Sequence, residues 1–296
     1  MSPPDRLVVE VRCASTDSEL VAEQLLVLGA SAVAESPPAD GSDAASADAG
    51  GRVVLTADLE PDALEAFSWP GVQVSIVDPG TGWLETWREH ASAQRAGRFV
   101  IRPPWVPGDV AASLGAGPSA LAGEDGEVID LVVDPGHTFG SGSHETTRLC
   151  LELIGRWIRP GDTVLDVGCG SGVLSVAALL AGASRATGID IDSESEAVSR
   201  GAASANAVSD RYRFAGESIP PGRYDVVVTN MLVNEMEGLA SGIADATAPG
   251  GVIIASGFLV SQMPRVTHAL GQLADPPLLE TVADGDWRGI ALRAPL

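Results

Sequence analysis

The sequence predicts an α/β protein with a parallel-sheet domain in its C-terminal two-thirds and a smaller α+β domain before it. From residue 128 onward, continuous apolar runs alternate with helical patterns, which is typical of strands buried on both faces of a parallel sheet. The first 78 residues instead contain short strands that alternate in polarity. Hydrophobic residues make up 45% and charged residues 20% of the 296 residues, a composition that supports a large buried core.

The N-terminal region, residues 1–78, has the order β-α-β-β-α-β that is typical of a ferredoxin-like domain. Alternating β-branched residues predict the first strand, and Gly29 ends the first helix. A loop of Pro, Ala, Gly, Ser and Asp covers residues 36–51. The predicted elements are strand 6–13, helix 17–29, strand 30–35, strand 52–57, helix 61–68 and strand 72–77.

Residues 79–127 predict a linker with a helix and a flexible insertion. A helix is expected over 82–98 and a strand over 99–101, and the Gly-, Ala- and Pro-rich stretch 106–127 predicts the insertion. The domain that follows, residues 128–296, is expected to hold the parallel sheet. Its predicted elements include strands at 163–167, 185–190, 224–230 and 251–256, and a terminal hairpin over 278–294.

The charge balance favours a basic protein as partner. The chain carries 18 basic and 40 acidic side chains, a net charge of −22, and such a surface repels a phosphate backbone, so nucleic acid is not an expected partner. The alternative is that the acidity only serves solubility or reflects a salty cytoplasm. Three cysteines without a C-x-x-C pair, no signal peptide and no long apolar run predict a cytoplasmic protein. No metal is expected, because His137 and His144 lack a third ligand at suitable spacing.

The strongest chemical signal is a buried strand that runs into a glycine-rich turn and then a helix. Gly168, Gly170 and Gly172 lack side chains, so the backbone can approach a ligand closely. Asp190 ends the next strand 22 residues after Gly168, where a carboxylate can accept both hydroxyls of a ribose. The third glycine comes one residue earlier than in the dinucleotide fingerprint G-x-G-x-x-G, and Asp166 at the strand end is typical of methyltransferases.

Two further segments carry polar groups suited to a reaction. Asn230 follows a buried strand, at the edge where ligands bind in open α/β sheets, and its side-chain oxygen could accept from an amine. The alternative is that Asn230 caps the next helix. Upstream, the loop 139–147 combines two glycines, several hydroxyls and a helix start. It could fold over a bound cofactor or be a plain N-cap loop.

These residues resemble the PrmA family, the ribosomal protein L11 methyltransferases. The loop Phe139–Thr147 is similar to the signature F-G-T-G-x-H-x-T-T, with Ser141 keeping a hydroxyl where the signature has threonine. The glycine turn, Asp190 and Asn230 follow in the family's order and spacing. Further segments that look like the family's linker and C-terminus are Trp83–Arg88, Ile101–Trp105 and Asp286–Arg288.

The resemblance implies a ferredoxin-like substrate-recognition domain joined by a flexible linker to a seven-stranded Rossmann-like methyltransferase domain. It implies S-adenosyl-L-methionine as cofactor, and lysine ε-amines and an N-terminal α-amine of a large-subunit ribosomal protein as acceptors. Asn230 is the expected catalytic residue. From the motifs and the resemblance together, the expected cofactor-binding residues are Phe139, Gly140, Thr147, Asp166, Gly168, Gly170, Gly172, Asp190 and Asn230.

Two alternatives to a ribosomal-protein methyltransferase stay open. The enzyme could act on another protein or a small molecule, or the chain could be a cofactor-binding module without catalysis. Asp190, Asn230 and the loop 139–147 argue against the second alternative. No segment demands oligomerisation, so a monomer is expected, and no residue stands out as a catalytic base.

Overall fold

The computed structural model describes residues 7–14, 18–30, 33–36, 52–77, 93–108, 128–133, 144–271 and 278–296. The chain divides into two compact units, Met1–His90 and Ala91–Leu296. Within the described ranges, no helix is long and apolar enough to cross a membrane. The boundary between His90 and Ala91 falls inside the predicted linker, 79–127, and the described part of that linker, 93–108, belongs to the second unit.

The N-terminal unit is a four-stranded antiparallel sheet with two helices. Its elements are β1 (Leu7–Ala14), α1 (Ser18–Val27), β2 (Val33–Ser36), β3 (Arg52–Leu59), α2 (Pro61–Ala66) and β4 (Gln73–Val77). Every second residue of β1, from Val9 to Cys13, is buried in one cluster with Val21 and Leu25 of α1. The strand order is β2-β3-β1-β4 with every neighbouring pair antiparallel, so the ferredoxin-like prediction is confirmed.

The second unit is built on a seven-stranded sheet of order β10-β9-β8-β11-β12-β14-β13. Its strands are β8 (Thr163–Val167), β9 (Arg185–Ile189), β10 (Tyr212–Phe214), β11 (Tyr224–Asn230), β12 (Thr247–Leu259), β13 (Leu278–Asp284) and β14 (Trp287–Arg293). Its helices are α3 (Glu145–Trp157), α4 (Val173–Leu180), α5 (Glu194–Ala205), α6 (Val233–Ala246) and α7 (Met263–Gly271), the last preceded by a short 3-10 turn, Val260–Gln262.

Strands β8 to β12 are parallel, and β14 runs antiparallel between β12 and β13. The four apolar runs predicted as parallel strands form β8, β9, β11 and β12, and the predicted hairpin forms β13 and β14, with Asp284 opposite Trp287. From β8 the chain proceeds to β9 and β10 on one side and then returns to β11 on the other side. In open α/β sheets this reversal places the ligand crevice at the carboxyl ends of the central strands, here β8 and β11.

A small sheet of β5 (Gln94–Ala96), β6 (Phe99–Arg102) and β7 (Ile129–Val132) completes the second unit. The strand predicted over 99–101 is confirmed as β6, but the helix predicted over 82–98 is wrong at its end, because 94–96 form β5. Gly97, at φ 54°, turns the chain back into a tight hairpin, so the helical pattern cannot continue there. Residues 82–92 of that predicted helix, and most of the predicted insertion, lie outside the described residues.

A close contact between β9 and its neighbours gives a test of this packing. A Cβ at Gly188 would clash with the Tyr212 hydroxyl and lie 2.9 Å from the Cys169 Sγ. Both contacts are buried side chains, so Gly188→Ala should lower the free energy of unfolding by about 1–3 kcal/mol. The matched control is Gly201→Ala in α5, where a Cβ meets nothing within 4 Å. There the helix propensity of alanine should raise stability by about 0.5–1 kcal/mol. Urea unfolding measures both, and equal effects would contradict the packing.

Candidate active site

The turn after β8, residues 168–172 and called the glycine turn below, is shaped by left-handed backbone. Gly168, Gly170 and Gly172 have φ angles of 73°, 47° and 77°, values that other residues adopt only with strain. A Cβ at Gly172 would also lie 2.7 Å from the Cβ of Ser199 in α5. Gly172 is the N-cap of α4, so the turn ends where the positive end of that helix begins. These three glycines therefore present bare backbone at this part of the sheet edge.

Asp166 lies inside β8 and is fully buried. Its Oδ2 accepts the Ser175 amide at 3.0 Å and the Ser175 hydroxyl at 2.7 Å. Its Oδ1 is buried and has no hydrogen-bond partner among the described residues. Burial raises the pKa of the carboxyl to about 7, against the lowering effect of the two Ser175 bonds. A buried, unpartnered acceptor at the mouth of a glycine turn is suited to a cationic donor from a ligand.

Asp190 follows β9 and is half-buried. Its Oδ2 accepts the amide of Gly170 at 2.7 Å, and its Oδ1 accepts the amide of Asp192 at 2.9 Å. The carboxylate is thus fixed against the glycine turn by two charge-assisted bonds. Each oxygen still has capacity for a second donor, which is what a pair of adjacent ligand hydroxyls requires.

Asn230 ends β11 and contacts α3. Its Nδ2 donates to the Oγ1 of Thr147, a buried residue in the first turn of α3, at 3.3 Å. The alternative that Asn230 caps the next helix is not borne out, because Leu232 is the N-cap of α6 and its amide is satisfied by the Glu235 carboxylate at 3.3 Å. The amide of Asn230 is therefore held by α3, across the sheet edge.

The three polar residues come together because of strand register. Asp166 is paired with Gly188 of β9 on one side and Val228 of β11 on the other. Since Asp190 lies two residues past Gly188 and Asn230 two past Val228, both lie just beyond Asp166 at the same edge. The sheet edge thus presents two carboxylates and an amide around the glycine turn.

The thiols near this edge take no part as nucleophiles. Cys150 and Cys169 are buried and form no disulfide. Burial, reinforced by the charge of Asp166, raises the pKa of both Cys150 and Cys169. Both thiols are therefore held in the unreactive neutral form.

Comparison with known proteins identifies the family and the fold of this chain. The family model described as ribosomal protein L11 methyltransferase (PrmA) matches residues 70–295. The chain belongs to this family. The ribosomal protein L11 methyltransferase of Thiobacillus denitrificans is 37% identical over 221 residues, which cover 69% of this chain and 74% of that protein. The protein of the same name from Pelotomaculum thermopropionicum is also 37% identical, over 71% of this chain and 65% of its own length.

A solved structure agrees with the fold. The crystal structure of a ribosomal protein L11 methylase from Lactobacillus delbrueckii subsp. bulgaricus is similar with a TM-score of 0.57 and 25% identity. The similarity covers 69% of this chain and 99% of that one. The seven-stranded Rossmann-like prediction for the second unit is confirmed.

Of the nine residues expected to bind the cofactor, seven are described. Six of them lie around the sheet edge at the ends of β8, β9 and β11, and Thr147 reaches it from α3. Phe139 and Gly140 lie outside the described residues, so their role stays a prediction.

Two residues of the edge were not anticipated. Ser175 supplies both partners of the Asp166 Oδ2, although its position in α4 reads as a small helical residue. Ile191, directly after Asp190, is 83% exposed. The sequence did contain a signal for this residue, because an isoleucine stands between two aspartates at the end of a predicted strand.

The raised pKa of Asp166 predicts a pH dependence of stability. The folded chain keeps a proton that an unfolded aspartate, with a pKa of about 3.9, releases. Stability therefore falls as pH rises from about 4 through about 7. Asparagine resembles the neutral acid, so without cofactor the free energy of unfolding of Asp166→Asn should rise relative to that of the wild type between about pH 4 and 7.

Urea unfolding at several pH values measures this difference. A curve for Asp166→Asn that runs parallel to that of the wild type would contradict the proposed protonation.

Proposed function

We propose that this protein is an S-adenosyl-L-methionine-dependent methyltransferase that methylates ribosomal protein L11. The observation that carries the proposal is the meeting of Asp190, the glycine turn and Asn230 at one sheet edge, in a chain of this family. A dehydrogenase would need the third glycine one residue later than Gly172.

The residues at the edge fit this cofactor. Asp190 would accept the ribose hydroxyls, and the exposed side chain of Ile191 beside it offers an apolar surface to the adenine ring. The unpartnered Oδ1 of Asp166 suits the ammonium group of the methionine part. The three glycines of the glycine turn leave room for close approach of the ligand between these carboxylates.

The chain's contribution to the reaction is alignment. The bound cofactor supplies an activated methyl group on a sulfonium, ready for direct displacement by a nitrogen. The Thr147 hydroxyl accepts a hydrogen bond from the Nδ2 of Asn230. This bond leaves the Asn230 Oδ1 as the acceptor for the substrate amine. An amine held in line by this oxygen attacks without further rearrangement. A lysine amine, with a pKa of about 10.4 in water, must enter in its neutral form, which a desolvated pocket favours.

The proposed acceptors are lysine ε-amines of L11, with an N-terminal α-amine as a further acceptor. A ribosomal protein that binds RNA is basic, and the net charge of −22 on this chain speeds its encounter with such a partner. We assign recognition of L11 to the N-terminal unit, because the cofactor motifs lie after residue 134. Since the proposed substrate is a ribosomal protein, we propose that the enzyme acts in the cytoplasm, as a monomer and without binding nucleic acid.

Methyl transfer to L11 tests the proposal. The enzyme should transfer label from methyl-labelled cofactor to lysines of the L11 encoded in the same genome. The 18 basic side chains of this chain are all arginines, so label on lysine cannot arise from self-methylation. L11 that stays unlabelled by an enzyme that binds S-adenosylhomocysteine would point to another acceptor.

Asn230→Ala separates catalysis from folding. Loss of the aligning oxygen should lower kcat by about tenfold to a hundredfold, with little change in Tm. The control is Asn234→Ala, which removes an exposed asparagine of α6 that bonds only to the surface residue Arg265 in the described part of the chain. Its kcat should equal that of the wild type. Unchanged turnover in Asn230→Ala would remove this residue from the reaction.

A further inference from the structure

The first turn of α3 is tied to the terminal hairpin by two side-chain contacts, called the hairpin clasp below. The Nη2 of Arg148 lies 2.6 Å from the Oδ2 of Asp284, the last residue of β13. The ring of His144 meets the ring of Trp287, the first residue of β14, edge to face at 5.4 Å between centroids. His144 and Arg148 are four residues apart and so share one face of the helix.

The same turn carries Thr147, whose hydroxyl holds the amide of Asn230. Thr147 is buried and faces the sheet, while its neighbour Arg148 reaches outward to the hairpin. Any rotation or sliding of this turn would move the Thr147 hydroxyl relative to β11. The hairpin clasp therefore fixes the position of the Thr147 hydroxyl, which sets the orientation of the Asn230 amide.

A second ion pair joins the same two elements at their other ends. Arg156 near the end of α3 pairs with Glu280 of β13, which also accepts the Trp157 indole N–H at 2.8 Å. The spacing matches: eight helical residues from Arg148 to Arg156 rise about 12 Å, and four strand residues from Glu280 to Asp284 span about 14 Å. Strand β13 thus runs along α3 and holds it at both ends, of which only the Asp284 end is next to the active site.

Resting on the methyl transfer proposed above, we propose that Asp284 is a positioning residue for the reaction. Through Arg148 it fixes the first turn of α3, and through that turn it fixes Thr147 against Asn230. The terminal hairpin, more than 50 residues after Asn230 in the chain, is in this way part of the active-site framework. Both ion pairs are partly exposed, so neither contributes much to global stability.

The two ends of β13 provide a matched comparison in the full-length protein. Asp284→Asn should lower kcat for L11 by about fivefold or more, because the aligning group is misplaced. Thr147 is also an expected cofactor contact. The affinity of the Asp284→Asn variant for S-adenosylhomocysteine, measured by calorimetric titration, should therefore fall by about threefold or more. Glu280→Gln should change each value by less than about twofold, while both variants melt within a few degrees of the wild type.

Two further variants separate positioning from a general structural effect. Asp284→Glu keeps the carboxylate and should recover most of the lost kcat. Arg148→Gln combined with Asp284→Asn should be no worse than either single change, because both act through one contact. Equal effects of Asp284→Asn and Glu280→Gln on kcat and affinity, or no effect of either, would overturn the inference. If the wild type leaves L11 unmethylated while the contrast in affinity holds, the inference stands and the proposed acceptor fails.

Discussion

The candidate active site depends on one hydrogen bond, from the amide of Gly170 to the carboxylate of Asp190 at 2.7 Å. It joins the turn after β8 to the end of β9, so two neighbouring strands present their ends as one rigid surface. The bond forms because Gly168, Gly170 and Gly172 carry no side chains and let the turn approach β9 closely. Cys169 and Tyr212 fill the space above Gly188, which leaves no room for a Cβ there. Packing and ligand recognition are therefore two consequences of the same close approach.

The same arrangement buries the carboxyl of Asp166 at a position where it lowers the stability of the fold without a ligand. Asp166 is fully buried, and one of its oxygens has no hydrogen-bond partner in the described part of the chain, although most buried polar atoms in proteins find a partner. A residue chosen for stability would be apolar at this point of β8. Local violations of this kind are characteristic of functional sites, where the missing partner arrives with the ligand.

The sequence was informative where local pattern determines structure. Continuous apolar runs predicted β8, β9, β11 and β12, because strands buried on both faces need no alternation. The spacing from the glycine turn to Asp190 predicted a pair that the structure joins by a hydrogen bond. The three-residue strand β5 was mistaken for helix, since so short a segment carries no period of its own.

Long-range pairs of polar side chains escaped prediction for a different reason. Arg148 and Asp284 are 136 residues apart, and nothing in either local sequence indicates that α3 lies along β13. The same is true of the contact between Asn230 and Thr147, which depends on how α3 packs on the sheet. Local pattern thus locates the groups that bind, whereas the elements that orient them emerge only from tertiary packing.

In the proposed function, the carboxylate of Asp190, fixed on the glycine turn, recognises the ribose of S-adenosylmethionine. Calorimetric titration of the full-length protein with S-adenosylhomocysteine, for the wild type and for Asp190→Ala, tests it directly. Loss of a charged hydrogen-bond partner costs about 1.5–3 kcal/mol, so the variant should bind roughly ten- to a hundredfold more weakly. NAD should give no binding to the wild type. An unchanged Kd in Asp190→Ala, or tight binding of NAD, would contradict the account.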